Sequence, residues 1–456
     1  MKIKYTVNPN LLEEPNSRLK VIRYFLEKHI SRRLELQKKQ DYYETKHEIL
    51  DKQAPEDETK PDNRLVNNYA KYIVDVATGY FMGIAPTYNA GENNKALDED
   101  LKDIFKLNDE PDTNSELAKQ CSIKGLAYEL VYQGEDAKTH FKDLDATETF
   151  LIRDNSVDEN VLLGVRFYDE LDPVLERTYI KVIVYSDREI EYYDYSERSL
   201  FEIDIEEHFF EEVPIIEYIN NEEMMGDFDN VKTLIDSYND SQSNTANDFD
   251  YFSDAYLYLV GMQGTESKDI AELKKNRVLL LNENGSAGFL TKEINDQASE
   301  NYKTRLKTDI HTLSFVPDLS DEKFAGTASG VALKYKLWGL EQLTSTKQLK
   351  FQKGLRKRLR LINNIWRKKG KNYNIDDVDI AFYRNLPSNI LEIVDSINKL
   401  GNTISRETKL EQIPFVDDVK LELKRIKAEE KEQLDDLGIN NNTDLGDDNA
   451  TKQVLD

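Results

Sequence analysis

One cysteine, two tryptophans and five histidines in 456 residues leave little material for several common kinds of protein. The lone cysteine, Cys121, excludes an internal disulfide framework, and in "ELAKQCSIKG" it reads as a small buried apolar residue rather than a catalytic thiol. His29, His47, His140, His208 and His311 are scattered, and none belongs to an H-E-x-x-H motif or a Cys/His cluster. No apolar run approaches the roughly 18 to 20 residues that span a bilayer, and "MKIKYTVNPN" lacks the apolar centre of a signal peptide. The phosphate-binding pattern G-x-x-x-x-G-K-[ST] is missing: "GTASGVALK" has the wrong spacing and lies between helices. There is no G-x-S-x-G elbow. The acid pair Asp227 and Asp229 in "GDFDN" reads as a solvated loop in an acid-rich chain. These gaps give an enzyme no anchor, so no catalytic residue, metal or cofactor is expected.

Charge, by contrast, is plentiful and unevenly placed. The formal net charge of −26 argues against a protein that wraps nucleic acid in a basic surface. Residues 187–229 hold sixteen acids against two arginines, and residues 428–456 nine acids against two lysines. Residues 347–371 hold eleven basic residues and no acid. Such polarity suits a subunit that pairs with copies of itself, or a channel whose wall varies in sign.

Hydrophobic spacing sets out the elements. Leu19, Ile22, Leu26 and Ile30 form one helical stripe, and Val66, Ala70, Ile73 and Ala77 another, which Gly83 stops. "IAPTYNA" reads as a short edge strand. From about 126 to 220 the period becomes two, giving a mixed, mainly antiparallel sheet region. Helical spacing resumes with Leu234, Tyr238 and Ser241, on a helix polar enough to pack against identical neighbours or face water. "AYLYLVG" and "NRVLLLNENGSAGFLTK" make a strand-containing insert with "ENGSAG" as its turn. Ala298, Tyr302, Leu306, Ile310 and Leu313 line a further helix ending near Pro317.

Next comes "SFVPDLSDEKFAGTASGVALKY", whose run of small residues is poor core and poor helix interior. It must either move or pack very closely. A long helix follows over about 329–369, with Leu355, Leu359, Ile362 and Trp366 on an apolar stripe. Lys350, Lys353, Lys357, Arg360, Arg367 and Lys371 form a basic stripe, which suits either DNA phosphates or ion pairing with the acidic 187–229 region, within or between subunits. Trp338 and Trp366 read as packing anchors. Helices over 389–400 and 417–433 and an acidic tail close the chain.

The order of these elements resembles the portal proteins of tailed bacteriophages, in particular those of long-tailed phages of Gram-positive hosts. The resemblance lies in "NRLVNNYAKYIVDVATGYFMG", in "VPIIEYINNEEMMGDFDNVKTLIDSYNDSQSNTANDFDYFSDAYLYLVG", in "VPDLSDEKFAGTASGVALKYKLWGLE" and in "IAFYRNLPSNILEIVDSINKLGNTISRETKLEQIPFVDD". The segment from Gly134 to Asn160 matches loosely.

The resemblance implies an α+β portal fold assembling as a ring, typically a dodecamer. It would have a wing of mixed sheet and helices (1–223), stem helices (224–252 and 294–314) and a small α/β clip between them (253–293). A tunnel loop (315–328), a long kinked wing helix (329–376), a helical crown (377–433) and a disordered acidic tail (434–456) would follow. Pro317, Asp318, Asp321, Glu322, Lys323, Phe324, Gly326, Thr327, Ser329 and Gly330 would line the narrowest part of the channel. Implied partners are double-stranded DNA bound without sequence specificity, the terminase large subunit, major capsid and scaffolding proteins and a head-completion adaptor, with no membrane. The setting implied is the virion vertex, and the host cytoplasm during assembly. Two other readings stay open on the residues alone: a metal-dependent DNA-processing enzyme, and a non-ring interaction scaffold.

Overall fold

The computed structural model describes residues 4–57, 60–91, 94–174, 176–253, 256–260, 285–290, 296–320, 330–386 and most of 395–436. The chain divides into two compact units, Met1–Asn385 and Leu386–Asp456.

Strand alternation builds the first unit in layers. A six-stranded sheet runs in the order β1 (Tyr5–Val7), β5 (Thr149–Asp154), β6 (Val161–Asp172), β7 (Arg177–Tyr185), β8 (Glu189–Ser196) and β9 (Ser199–Glu207). Only the β1–β5 pair is parallel. Helix α1, Pro15–Tyr43, lies on one face and buries Ile22, Phe25 and Leu26 against Val165, Phe167, Val182 and Val184. Ile183 and Tyr185, one residue out of phase on β7, point the other way. There they meet Leu126, Tyr128 and Ile215 of a second sheet, ordered β10 (Ile215–Ile219), β3 (Leu126–Gln133), β4 (Thr139–Leu144). The region that periodicity merges into one mixed sheet is therefore two stacked sheets. A period of two says that side chains alternate faces, but not which strand lies alongside.

The outer face of the second sheet carries Ala127, Val131, Ile216 and Tyr218 into a core shared with helices α2 (Tyr69–Met82), α3 (Lys95–Leu107), α4 (Glu110–Lys124) and α8 (Trp338–Lys368). As its stripe indicates, α2 buries Ala70, Ile73 and Ala77; Asn68 caps its start and Gly83 its end. Helices α3 and α4 fall where no helix was assigned from sequence. Gly125 ends α4 at φ +86°, and a Cβ there would stand 2.1 Å from the Met224 carbonyl oxygen. Gly354 of α8 lets the helix touch the second sheet, since its Cβ would sit 2.3 Å from the Tyr218 ring.

Helices α5 (Lys232–Ser253) and α6 (Asp296–Ser314) run antiparallel, with Asn230 near Leu313 and Thr245 near Ser299. The polarity of α5 has a use within the chain. Asn239, Ser243 and Asn247, one turn apart, accept hydrogen bonds from the backbone N–H groups of Asn67, Leu65 and Asn63 at 2.7, 2.9 and 2.6 Å. Part of the face expected to meet water or a neighbour thus satisfies an extended segment of its own chain.

Between α5 and α6, β11 (Tyr256–Val260) pairs antiparallel with β12 (Ser286–Leu290). Ser286, Ala287 and Gly288, assigned from sequence to a turn, are strand. The long helix is broken at Leu337 into α7 (Gly330–Lys336) and α8, although backbone bonds at 3.0 and 2.9 Å continue across the break. A last strand, β13 (Asp379–Ala381), pairs with β2 (Thr87–Asn89), the edge strand expected from "IAPTYNA". The second unit contains α9 (Arg406–Glu411) and α10 (Val419–Asp436). Residues 434–436, assigned to a disordered tail over 434–456, instead end α10; the rest of that tail and most of the helix assigned to 389–400 lie outside the described residues.

Candidate functional site

Two features drew attention in the sequence, and α6 and α8 position them. The first is the loop that leaves α6. Beyond Ser314 the chain turns through Phe315 at φ +60°, with Val316 fully buried and its carbonyl 3.0 Å from His311 Nδ1. The Tyr72 hydroxyl of α2 donates to the Pro317 carbonyl at 2.9 Å and accepts from the Leu319 N–H at 2.8 Å. Asp318 pairs with Lys307 of α6 at 2.7 Å and accepts from the Ser320 N–H and hydroxyl at 3.0 and 2.6 Å. Burial pushes the Asp318 carboxyl up, but Lys307 and the two Ser320 bonds outweigh it and hold the carboxyl at about 2.

Pro317 and Asp318 are thus held at the root of the loop, with the Asp318 charge met by Lys307 rather than left bare. Asp321, Glu322, Lys323, Phe324, Gly326, Thr327 and Ser329 lie outside the described residues, and Gly330 opens α7. Tyr72→Phe keeps the ring and removes both hydroxyl bonds. Amide exchange at Leu319 should then rise about tenfold, as losing about 1.4 kcal/mol of local protection requires. Unchanged exchange would show that Tyr72 does not hold the loop.

The second feature is the basic run of α8, which meets the acidic stretch within the same chain. Lys347 is buried and reaches Asp227 at 2.5 Å and the Ser122 hydroxyl at 2.6 Å. Lys350 pairs with Glu222 at 2.6 Å, Arg360 with Glu212 at 3.5 Å, and Lys368 with Glu211 at 2.7 Å. Lys371, just past the helix, pairs with Asp100 at 2.5 Å. Half-buried Lys357 makes no ion pair among the described residues. Burial pushes its amine down to about 8 against the pull of Glu212, with Arg153 and Arg360 adding to the drop. Lys353 and Arg367 are exposed and also make no ion pair among the described residues.

The deepest cation of α8 is Arg358. Its Nη2 lies 2.6 Å from Glu129 and its Nη1 3.5 Å from Glu110, with all three side chains almost wholly buried. Tyr218 donates to Glu129 at 2.8 Å and Tyr88 to Glu110 at 2.6 Å. Arg358 lies outside the basic stripe drawn from sequence. A helical-wheel signal was nonetheless there: Lys347 and Arg358 share the side of α8 that carries Phe351, Leu355 and Ile362.

Two smaller expectations change. Trp366 packs in the core, edge-on to Tyr373 at 5.5 Å, but Trp338 is 62 % exposed and anchors no core. Asp227 and Asp229 are not a solvated pair. Asp227 is buried against Lys347 and Asn220, and Asp229 pairs with Lys39 at 2.5 Å. Cys121 is buried as expected, and burial pushes its thiol well up. Tyr72, Lys307 and His311, which hold the loop root, gave no sequence signal, because Tyr72 and Pro317 are 245 residues apart.

Comparison with known proteins bears on what this arrangement serves. The family model of phage portal proteins of the SPP1 Gp6-like type matches residues 22–436. The chain is 27% identical to a portal protein of Bacillus phage SPP1, over 98% of this chain and 92% of that one. It is 26% identical to a portal protein of Clostridium phage phiCD119, over 91% and 96% of the two chains. Among solved structures, the neck of a native GTA particle computed with C12 symmetry matches with a TM-score of 0.46 and 11% identity, covering 75% of this chain and 89% of that one. A family match over residues 22–436, with relatives aligned nearly end to end, leads to one statement: the chain belongs to the SPP1 Gp6-like family of phage portal proteins.

Proposed function

We propose that copies of this chain form a closed ring, a dodecamer, at one vertex of the capsid, and that double-stranded DNA enters and leaves through its centre. The observation that carries this reading is membership of the portal family along nearly the whole chain. In this reading residues 1–223 with 329–376 make the wing, 224–252 and 294–314 the stem, 253–293 the clip, 315–328 the tunnel loop and 377–433 the crown. The terminase large subunit docks on the clip and does the work of packaging, while the portal itself catalyses nothing. Scaffolding and major capsid proteins surround the ring in the host cytoplasm, and a head-completion adaptor joins it to the tail in the virion.

Physical chemistry supports the assignment of the loop. When copies of one segment converge on a symmetry axis, only small side chains such as those of Gly326, Thr327, Ala328, Ser329 and Gly330 avoid collision. The root of that segment is held by Tyr72 and Lys307, so its start is fixed whatever the tip does. A net charge of −26 suits a conduit, because every tight phosphate contact would have to break as DNA slides.

Gly326→Trp and Gly330→Trp test the reading. Each variant should assemble rings visible by electron microscopy, yet leave far less nuclease-protected DNA in particles. Normal packaging by both would remove the loop from the narrow part of the channel. Monomers alone, even with scaffolding and major capsid proteins added, would overturn the ring itself.

A further inference from the structure

The inner side of α8 uses its charges within the chain; on its outer side Arg360 pairs with Glu212, while Lys353, Arg356 and Arg367 make no ion pair among the described residues. At 100° per residue, Trp338, Leu349, Lys353, Arg356, Arg360 and Arg367 fall within one stripe roughly 60° wide. Trp338 and Leu349 are 62 % and 65 % exposed. Lys353 and Arg356 make no ion pair among the described residues, and no acid occurs between Lys347 and Lys371. An exposed stripe that joins large apolar side chains to cations of one sign calls for an acidic, partly apolar partner.

The same chain presents such a surface on β9. This strand ends the six-stranded sheet and, among the described residues, has β8 as its one strand neighbour, which leaves its outer edge unpaired there. Phe201, Ile203 and Ile205 are 53 %, 55 % and 46 % exposed along it. Between and beyond them stand Glu202, Asp204, Glu206 and Glu207, all exposed and without a cationic partner among the described residues. Of the acids that follow the strand, Glu211, Glu212, Glu222 and Asp227 are already engaged, by Lys368, Arg360, Lys350 and Lys347. The unmatched charge of the acidic stretch is thus concentrated on β9 and its turns, and that of the basic run on the outside of α8. Lengths agree as well. Nine extended residues span about 26 Å, and the helix from Leu349 to Arg367 about 27 Å.

We propose that β9 of one copy lies along the Leu349–Arg367 stripe of α8 in the next copy. Phe201, Asp204 and Glu206, which stand opposite Asp194, Tyr192 and Ile190 and so share one face of the sheet, would meet the stripe, Phe201 beside Leu349 and the two acids toward Lys353, Arg356 and Arg367. The contact joins two different patches of one chain, which is the heterologous kind that builds rings. This inference rests on the ring reading and names the surfaces that make the ring.

Charge reversal separates the two claims. One variant carries Lys353→Glu, Arg356→Glu and Arg367→Glu; the other carries Glu202→Lys, Asp204→Lys and Glu206→Lys. Ring yield is read by native mass spectrometry and electron microscopy beside the unaltered chain. Each variant alone should lose rings about tenfold or more, since like charges then face each other. A one-to-one mixture should restore them, because each variant supplies the complement of the other, and the chain carrying all six changes should do the same. Restoration also shows that both variants are folded.

Rings from either variant alone at normal yield would overturn the β9–α8 contact and leave the ring reading standing. Loss without restoration would also overturn it. An α8 variant that forms normal rings but retains less DNA would assign the stripe to phosphate instead. Monomers from the unaltered chain, with scaffolding and capsid proteins present, would remove the inference together with the ring.

Discussion

Replacing Arg358 with methionine should lower the stability of the first unit by about 3–5 kcal/mol, the usual effect of stripping one partner from a buried ion pair. The guanidinium is 1 % exposed, donates from Nε to Glu129 at 3.0 Å, holds its Nη2 2.6 Å from the same carboxylate and lies 4.4 Å above the Phe141 ring. Its loss leaves Glu129 and Glu110 as uncompensated carboxylates inside the core shared by the second sheet, α4 and α8. Burial already pushes the Glu110 carboxyl up, with Arg358 as the main opposing influence. Urea unfolding at several pH values checks the cause as well as the size. The variant should recover part of its loss in mild acid, where the Glu110 carboxyl, already pushed up by burial, can take a proton. Adding Glu129→Gln and Glu110→Gln should recover part of it at neutral pH. A loss below about 1 kcal/mol, or one independent of pH, would show that the network does not depend on the arginine.

Acid should weaken the wild-type fold as soon as the pH falls below 6.5, and His29 is the main reason. The imidazole is fully buried between α1 and the six-stranded sheet, stacked on Phe150 at 4.9 Å. Its Nε2 lies 2.9 Å from the Ala146 carbonyl and its Nδ1 3.2 Å from the Tyr5 hydroxyl. Burial pushes its pKa from 6.5 down to about 4; the Ala146 bond opposes this and the charges of Arg32 and Arg33 add to it. An unfolded chain takes the proton near 6.5 and the folded one only near 4, so between those values the unfolded state holds more protons. Stability is therefore complete above pH 6.5 and falls as pH drops toward 4, by about 3 kcal/mol for this group. Burial pushes His47 and His208 in the same direction. His29→Gln should flatten the unfolding free energy between pH 6.5 and 4, even if it lowers the value at pH 7. If the slope is unchanged, His29 does not control it.

How much of this was legible before the fold was known differs from element to element. The stripe of α2, its glycine stop, the alternation in β6 to β8 and the course of α6 could be read directly, because each is a local period set by backbone geometry. Charge segregation was equally plain, since composition needs no coordinates. The stacking of two sheets was not, because alternation is blind to which strand is the neighbour. The polar face of α5 reads from sequence as a surface, because nothing near it in the chain announces that residues 63–67 lie across it.

The candidate site divides in the same way. By itself the sequence determined that a run of small residues separates two helices, that a basic helix and an acidic stretch exist, and that the family is that of phage portals. Tertiary structure alone decided that Tyr72 and Lys307 hold the root of the loop, and that Lys347 and Arg358 are core cations. It also showed which charges are left over, on the outside of α8 and along β9. The physical reason is one of range. Periods and caps are set by residues three or four apart, whereas the energy of a charge depends on its burial and its partner, which here stand 225 residues away for Lys347 and Ser122 and 229 for Arg358 and Glu129.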